Sequence, residues 1–171
     1  LSNPKDAAFF QEMRLLRLKH ARVSAFGMTR RRGITAAEDL GVKALLAAET
    51  PVVTIVGKTS DYHAKMVLNV SLEENLAMIA DTLKLLADSG RFVVYDAEHF
   101  FDTFRANRDY ALQTLAAAES AGAKVLCLCD TNGGTMPEQI AEAVSAVRAA
   151  CSAAIGIHTH NDSGLAVANA L

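Results

Sequence analysis

The chain has no surplus of positive charge: 17 Lys and Arg stand against 19 Asp and Glu, a formal net charge of −2. That removes the electrostatic case for a nucleic acid or an anionic membrane as partner. No apolar run approaches the roughly 20 residues of a membrane span, and no signal-peptide pattern opens the chain. Cysteine is scarce. Cys127, Cys129 and Cys151 are odd in number and lack zinc-ribbon spacing, so they read as buried free thiols in a reducing, cytoplasmic setting. Linkers and low-complexity stretches are also missing, and 171 residues with 51% hydrophobic content suit about one globular domain. The chain opens at Leu1 without methionine and stops at Leu171 within an amphipathic helical pattern. We therefore expect it to be part of something longer.

What is present is a repeating alternation of short apolar runs and helical patterns. Val52–Val56, Phe92–Tyr95, Lys124–Cys129 and Ala154–Ile157 read as strands, with Arg22–Phe26 as a weaker fifth. Their nearly continuous hydrophobicity suits strands covered on both faces. Ser71-Leu72-Glu73-Glu74 is a capping box, followed by a stripe of Leu76, Ile79, Leu83 and Leu86 that Gly90 ends. Thr135-Met136-Pro137-Glu138 reads as a second box with proline in the first turn. Asn107 is placed to cap a helix running to about Ser120, and Lys5–Leu18 and Ala36–Ala48 read as two more. Strand–helix units of this kind build a parallel sheet, either an open doubly wound one or a barrel. The open form calls for a phosphate-binding glycine fingerprint, and Gly133-Gly134 is only a pair. A full (β/α)8 TIM barrel needs about 250 residues. The expectation is a partial barrel of about strands three to seven over residues 1–171, with the first two strands and the eighth absent.

In such a barrel, chemistry gathers at the carboxyl ends of the strands. Those ends are polar here: Thr29-Arg30-Arg31-Arg32, Gly57-Lys58-Thr59-Ser60-Asp61-Tyr62-His63, Asp96-Ala97-Glu98-His99, Asp130-Thr131-Asn132 and His158-Thr159-His160-Asn161-Asp162. Each alone has a plain structural reading: a solvated arginine loop, a turn shaped by Asp130 and Asn132, a surface ion pair at Glu98. Together, acids and imidazoles at one end of a scaffold point to a metal-assisted active site. In "IGIHTHNDSG" the two histidines alternate, so His158 and His160 project to one face of an extended strand and can share a divalent ion. By the same alternation Thr131 lies with Cys129 and Cys127, and Glu98 with Asp96 and Val94. Gly156, beneath the histidines, would leave room below a metal.

These stretches resemble a known family. "HTHNDSGLAVANAL" is similar to the metal-binding strand of the acyl-CoA-dependent aldol and Claisen enzymes on the TIM barrel, the 2-isopropylmalate synthase, homocitrate synthase and HMG-CoA lyase group. "YDAEHFFD", "LCDTNGGTMPEQI" and the opening "SNPKDAAFF" are most similar to its citramalate-forming branch. The resemblance covers essentially the whole chain. It implies a transferase that condenses acetyl-CoA with a 2-oxo acid, pyruvate giving citramalate, with thioester hydrolysis; 2-oxoisovalerate, and a non-catalytic barrel fragment, are the alternatives. It implies His158 and His160 as ligands of a divalent metal (Mg, Mn or Zn) and Thr131 as the group that binds the 2-oxo acid carboxylate. It places Glu98 and His63 in the active site, Glu98 beside the substrate and His63 at the pocket wall. From charge at the catalytic face, Arg30 in the arginine run is assigned to the phosphates of coenzyme A. The family's further metal-ligating aspartate and asparagine belong to strands this chain lacks. A homodimer is the assembly we expect.

Overall fold

In a computed structural model that describes residues 4–171, five strands form one parallel sheet in chain order. They are β1 (Ser24–Met28), β2 (Val52–Lys58), β3 (Phe92–Glu98), β4 (Val125–Asp130) and β5 (Ala154–Thr159). Helix α1 (Pro4–Met13) precedes them. Each crossover carries helices: α2 (Leu40–Ala47), then α3 (Asp61–Met66) with α4 (Leu72–Asp88), then α5 (Phe100–Ala106) with α6 (Arg108–Ser120), then α7 (Pro137–Ala150). Helix α8 (Ala166–Ala170) follows β5. A strand order that never reverses has no switch point, which is what an open doubly wound sheet would show. This is a section of a TIM barrel. Among the described residues no helix is long and apolar enough to cross a membrane.

Burial alternates along the strands and separates two faces. Val53 and Ile55, Val93 and Tyr95, and Leu126 and Leu128 are fully buried beneath the helices, packed with Ile79, Leu83, Leu86, Leu115 and Val147. The intervening residues form the face that a closed barrel turns toward its axis: Thr54, Val56 and Lys58 on β2, Asp96 and Glu98 on β3, Cys127 and Cys129 on β4, Gly156 and His158 on β5. Gly57 belongs to the helix side, where a Cβ would stand 2.6 Å from the Tyr95 ring; its missing side chain is what lets Tyr95 fill the core there.

The caps explain the helix starts. Ser71 Oγ accepts from Glu74 N at 3.1 Å and Asn107 Oδ1 from Tyr110 N at 3.3 Å, as the sequence suggested, each cap worth about 1 kcal/mol. Elsewhere the boundaries move. The helix expected at Ala36–Ala48 begins only at Leu40, because Asp39 Oδ1 accepts from Gly41 N and Val42 N and fixes the first turn there. The box expected at Thr135 shifts by one: Gln139 Oε1 accepts from Met136 N, and Thr135 is drawn away to Asp130. The helix expected over Lys5–Leu18 ends at Met13. It buries no residue, Leu15 and Leu16 are exposed, and a short helix without a packed face has little to extend it. The weak strand expected at Arg22–Phe26 lies two residues later. Helices α3 and α5, of six and seven residues, are too short for periodicity to reveal.

Candidate active site

The half-exposed face ends in a cluster of polar side chains at the carboxyl ends of β2 to β5. Lys58 and Glu98 are register partners on β2 and β3, and the Lys58 ammonium donates to Glu98 Oε2 in an ion pair largely withdrawn from water. Thr59 also donates its hydroxyl to the Glu98 carbonyl, so the end of β3 is tied to β2 through both backbone and carboxylate. Cys129 and His158 are register partners on β4 and β5. Asp96 sits one alternation beneath Glu98. Burial pushes its carboxyl up, partly offset by a hydrogen bond from Cys127 and by the field of His158.

His158 and His160 project to the same side, their ring centroids 5.0 Å apart and their planes 70° apart. His160 lies just past the end of β5. Its N–H donates to Asp130 O, and its Nδ1 is 2.7 Å from the Thr131 carbonyl oxygen. A carbonyl can only accept, so Nδ1 carries the hydrogen and Nε2 keeps its lone pair for a ligand. Both rings are exposed. Two neighbouring imidazoles, one with its tautomer fixed by a backbone acceptor, fit a divalent cation of hard or borderline character. Gly156 lies on the same face one alternation below His158. A Cβ there would meet Val125 Cγ1 at 3.3 Å, so the glycine gives the Val125 side chain room to pack below the histidines.

Thr131 Oγ1 accepts from His99 N at 2.8 Å. One lone pair is thereby used, and the hydroxyl hydrogen remains to donate to a carboxylate. His99 is held in the left-handed region (φ 59°), which turns the chain from β3 into α5 and aims that N–H at β4. Its Nδ1 lies 3.3 Å from Asp102 Oδ2, which also accepts from Asn132 Nδ2 at 2.7 Å. His63, on α3, packs its ring edge-on against His99 with centroids 4.4 Å apart. Burial, then repulsion from His99 and Lys58, push the His63 imidazole down from its ordinary value, against the opposite pull of Glu98 and Asp102. The loop after β4 is rigid for a local reason: Asp130, buried on the helix side, accepts from Thr135 N and Thr135 Oγ1. Gly133 (φ 62°) packs so tightly against Asp162 that a Cβ would come within 2.6 Å of its carboxylate.

The structure thus brings Glu98, Thr131, His63, His158 and His160 to one end of the sheet. Arg30, just past the end of β1, stands at the same end but turns its side chain toward α4. Its side chain is 7% exposed and its guanidinium pairs with Glu74 at 2.8 Å and Asp81 at 2.9 Å on α4, while its backbone N–H donates to Thr82. Burial alone would push the guanidinium down; the two carboxylates outweigh it and hold the charge. Four of the five side-chain N–H donors of Arg30 are engaged, counting a 3.3 Å bond to the Arg31 carbonyl, so its charge is committed to α4 first. Its replacement by alanine is expected to cost about 2 kcal/mol of stability, the scale of hydrogen bonds to a charged group. Urea unfolding monitored by circular dichroism checks this, and an unchanged midpoint would show the pairs to be idle. Sequence reasoning passed over Lys58, His99 and Asp102. Lys58 shares the parity of Thr54 and Val56, a readable signal, but its partnership with Glu98 needs the register of two strands.

The family model described as HMGL-like matches residues 4–171. The chain belongs to the HMGL-like family. It is 52% identical over 170 residues to the (R)-citramalate synthase of Geobacter sulfurreducens, a match covering 99% of this chain and 32% of that protein. It is 50% identical to the (R)-citramalate synthase of Streptomyces coelicolor, with the same coverage of 99% and 32%. The chain therefore spans about a third of the length of these curated relatives. Among solved structures, the hydroxymethylglutaryl-CoA lyase of Pseudomonas aeruginosa superposes with a TM-score of 0.74 at 16% identity, over 97% of this chain and 53% of that one. At that identity the likeness shows the fold, and it agrees with the HMGL-like barrel derived above.

Proposed function

We propose that this HMGL-like chain is the section from about strand three to strand seven of an enzyme that condenses acetyl-CoA with pyruvate and releases citramalate after thioester hydrolysis. The observation that carries the reading is the gathering of His158, His160, Thr131 and Glu98 at the carboxyl ends of the strands, in a chain half identical to (R)-citramalate synthases. His158 and His160 would hold a divalent metal, which when bound supplies Lewis-acid stabilisation of charge developing on a ketone oxygen. Thr131 donates its hydroxyl to the carboxylate of the 2-oxo acid. Glu98, an acceptor on the same face, takes part in removing a proton from the acetyl methyl, and the Lys58 ammonium holds it in place. His63, packed edge-on against His99, forms part of the wall. The coenzyme's phosphates fall chiefly to Arg31 and Arg32, beside a cavity of about 720 Å³ at the end of β1 that Arg30 also lines, since the Arg30 charge is already paired with Glu74 and Asp81.

The test is a product assay on the full-length protein with pyruvate and with 2-oxoisovalerate. Citramalate should form, with kcat/KM for pyruvate at least about tenfold higher, the scale set by extra methyl groups in a fitted pocket. Coenzyme A release with neither acid would end the condensing reading, and a preference for 2-oxoisovalerate would move the protein to the 2-isopropylmalate branch.

A further inference from the structure

Below the histidines, the same face holds a second group of ligand atoms that the proposed condensation does not use. One carboxylate oxygen of Asp96 and the Sγ atoms of Cys127 and Cys129 all lie within 4.8 Å of one another. The topology explains the grouping. Asp96 and Cys127 are register partners on adjacent strands, and Cys129 follows Cys127 by two residues on the same face. All three thiols of the chain are free. From this we infer that the barrel face carries a cation site, separate from the histidine pair, for a soft divalent ion such as Zn²⁺ or Cd²⁺, with Asp96, Cys127 and Cys129 as ligands.

The geometry and the donor chemistry agree. A tetrahedral zinc with bonds of about 2.0–2.3 Å holds its donors roughly 3.3–3.8 Å apart, so the three atoms close on an ion by small side-chain rotations on a fixed sheet. Two thiols and one carboxylate select a soft ion, whereas imidazole and substrate oxygens suit a hard or borderline one, so the two sites differ in preference. The neighbouring Cys127 and burial push the Cys129 thiol up, and burial raises the Asp96 carboxyl, so both are held toward their protonated forms. The ion enters as its aqua complex, the Asp96, Cys127 and Cys129 protons pass to bulk water, and no oxidant or reductant takes part. The fourth position is left to water.

Cadmium titration of the full-length protein tests this, with the sulfur-to-cadmium charge-transfer absorption as readout. One equivalent should bind with that band. Cys127→Ser and Cys129→Ser should each weaken binding more than about tenfold and reduce the band, while Cys151→Ser, at the end of α7, should leave both unchanged. On the unaltered protein, zinc should protect Cys127 and Cys129 from alkylation and leave Cys151 reactive, read by peptide mass mapping. A band that survives the Cys127→Ser, Cys129→Ser double variant, or zinc protection no greater at these two thiols than at Cys151, would overturn the inference. Neither readout depends on turnover, so the proposed condensation can fail while the site stands, and the reverse.

Discussion

Alanine in place of His160 in the full-length protein is expected to lower turnover on the order of 10³-fold at limiting metal. A Lewis acid at a developing oxyanion is worth several kcal/mol, and each 1.36 kcal/mol is a factor of ten. The substitution removes one of two imidazoles and also the bond from Nδ1 to the Thr131 carbonyl, so the loop after β4 loses a tie to β5. Because His158 remains, excess Mn²⁺ should restore part of the activity. Steady-state assays of coenzyme A release, at low and high metal, check both parts. Full activity at limiting metal would show that the histidine pair has no share in the chemistry.

Glu98→Gln should give the second large effect, a fall in turnover of about 10²–10⁴-fold, the usual worth of a general base. Glutamine keeps an oxygen that can accept from Lys58, so the side chain should stay where it is and pyruvate affinity should change little. The separation matters. A drop in kcat with a steady KM places Glu98 in proton transfer, whereas a raised KM with steady kcat would make the Lys58–Glu98 pair a binding device. Lys58→Met with Glu98 intact is the natural companion, since it leaves the carboxylate without its cation.

Much of this was readable in the sequence because a strand has a period of two. The shared side of His158 and His160, and the shared side of Asp96 and Glu98, follow from alternation once a strand is recognised. What alternation cannot supply is the partner on another strand or helix. Arg30 looked free for a phosphate because its carboxylates, Glu74 and Asp81, lie 44 and 51 residues away on a helix whose apolar stripe was visible but whose docking was not. The Lys58–Glu98 pair, 40 residues apart, was hidden for the same reason. The thiols are free, but only Cys129 is buried where all three were expected to be, and their closeness to Asp96 emerged only with the β3–β4 register. Helix ends followed local chemistry where a side chain caps, at Ser71 and Asn107, and departed from periodicity where Asp39 and Asp130 redirected the backbone.

Manganese binding followed by pulsed electron paramagnetic resonance tests the shared cation most directly. Full-length protein loaded with one Mn²⁺ should show modulation from two coordinated imidazole nitrogens, falling to one in His158→Ala or His160→Ala. A spectrum without nitrogen coupling, or one that both substitutions leave unchanged, would contradict the assignment of these histidines to one ion.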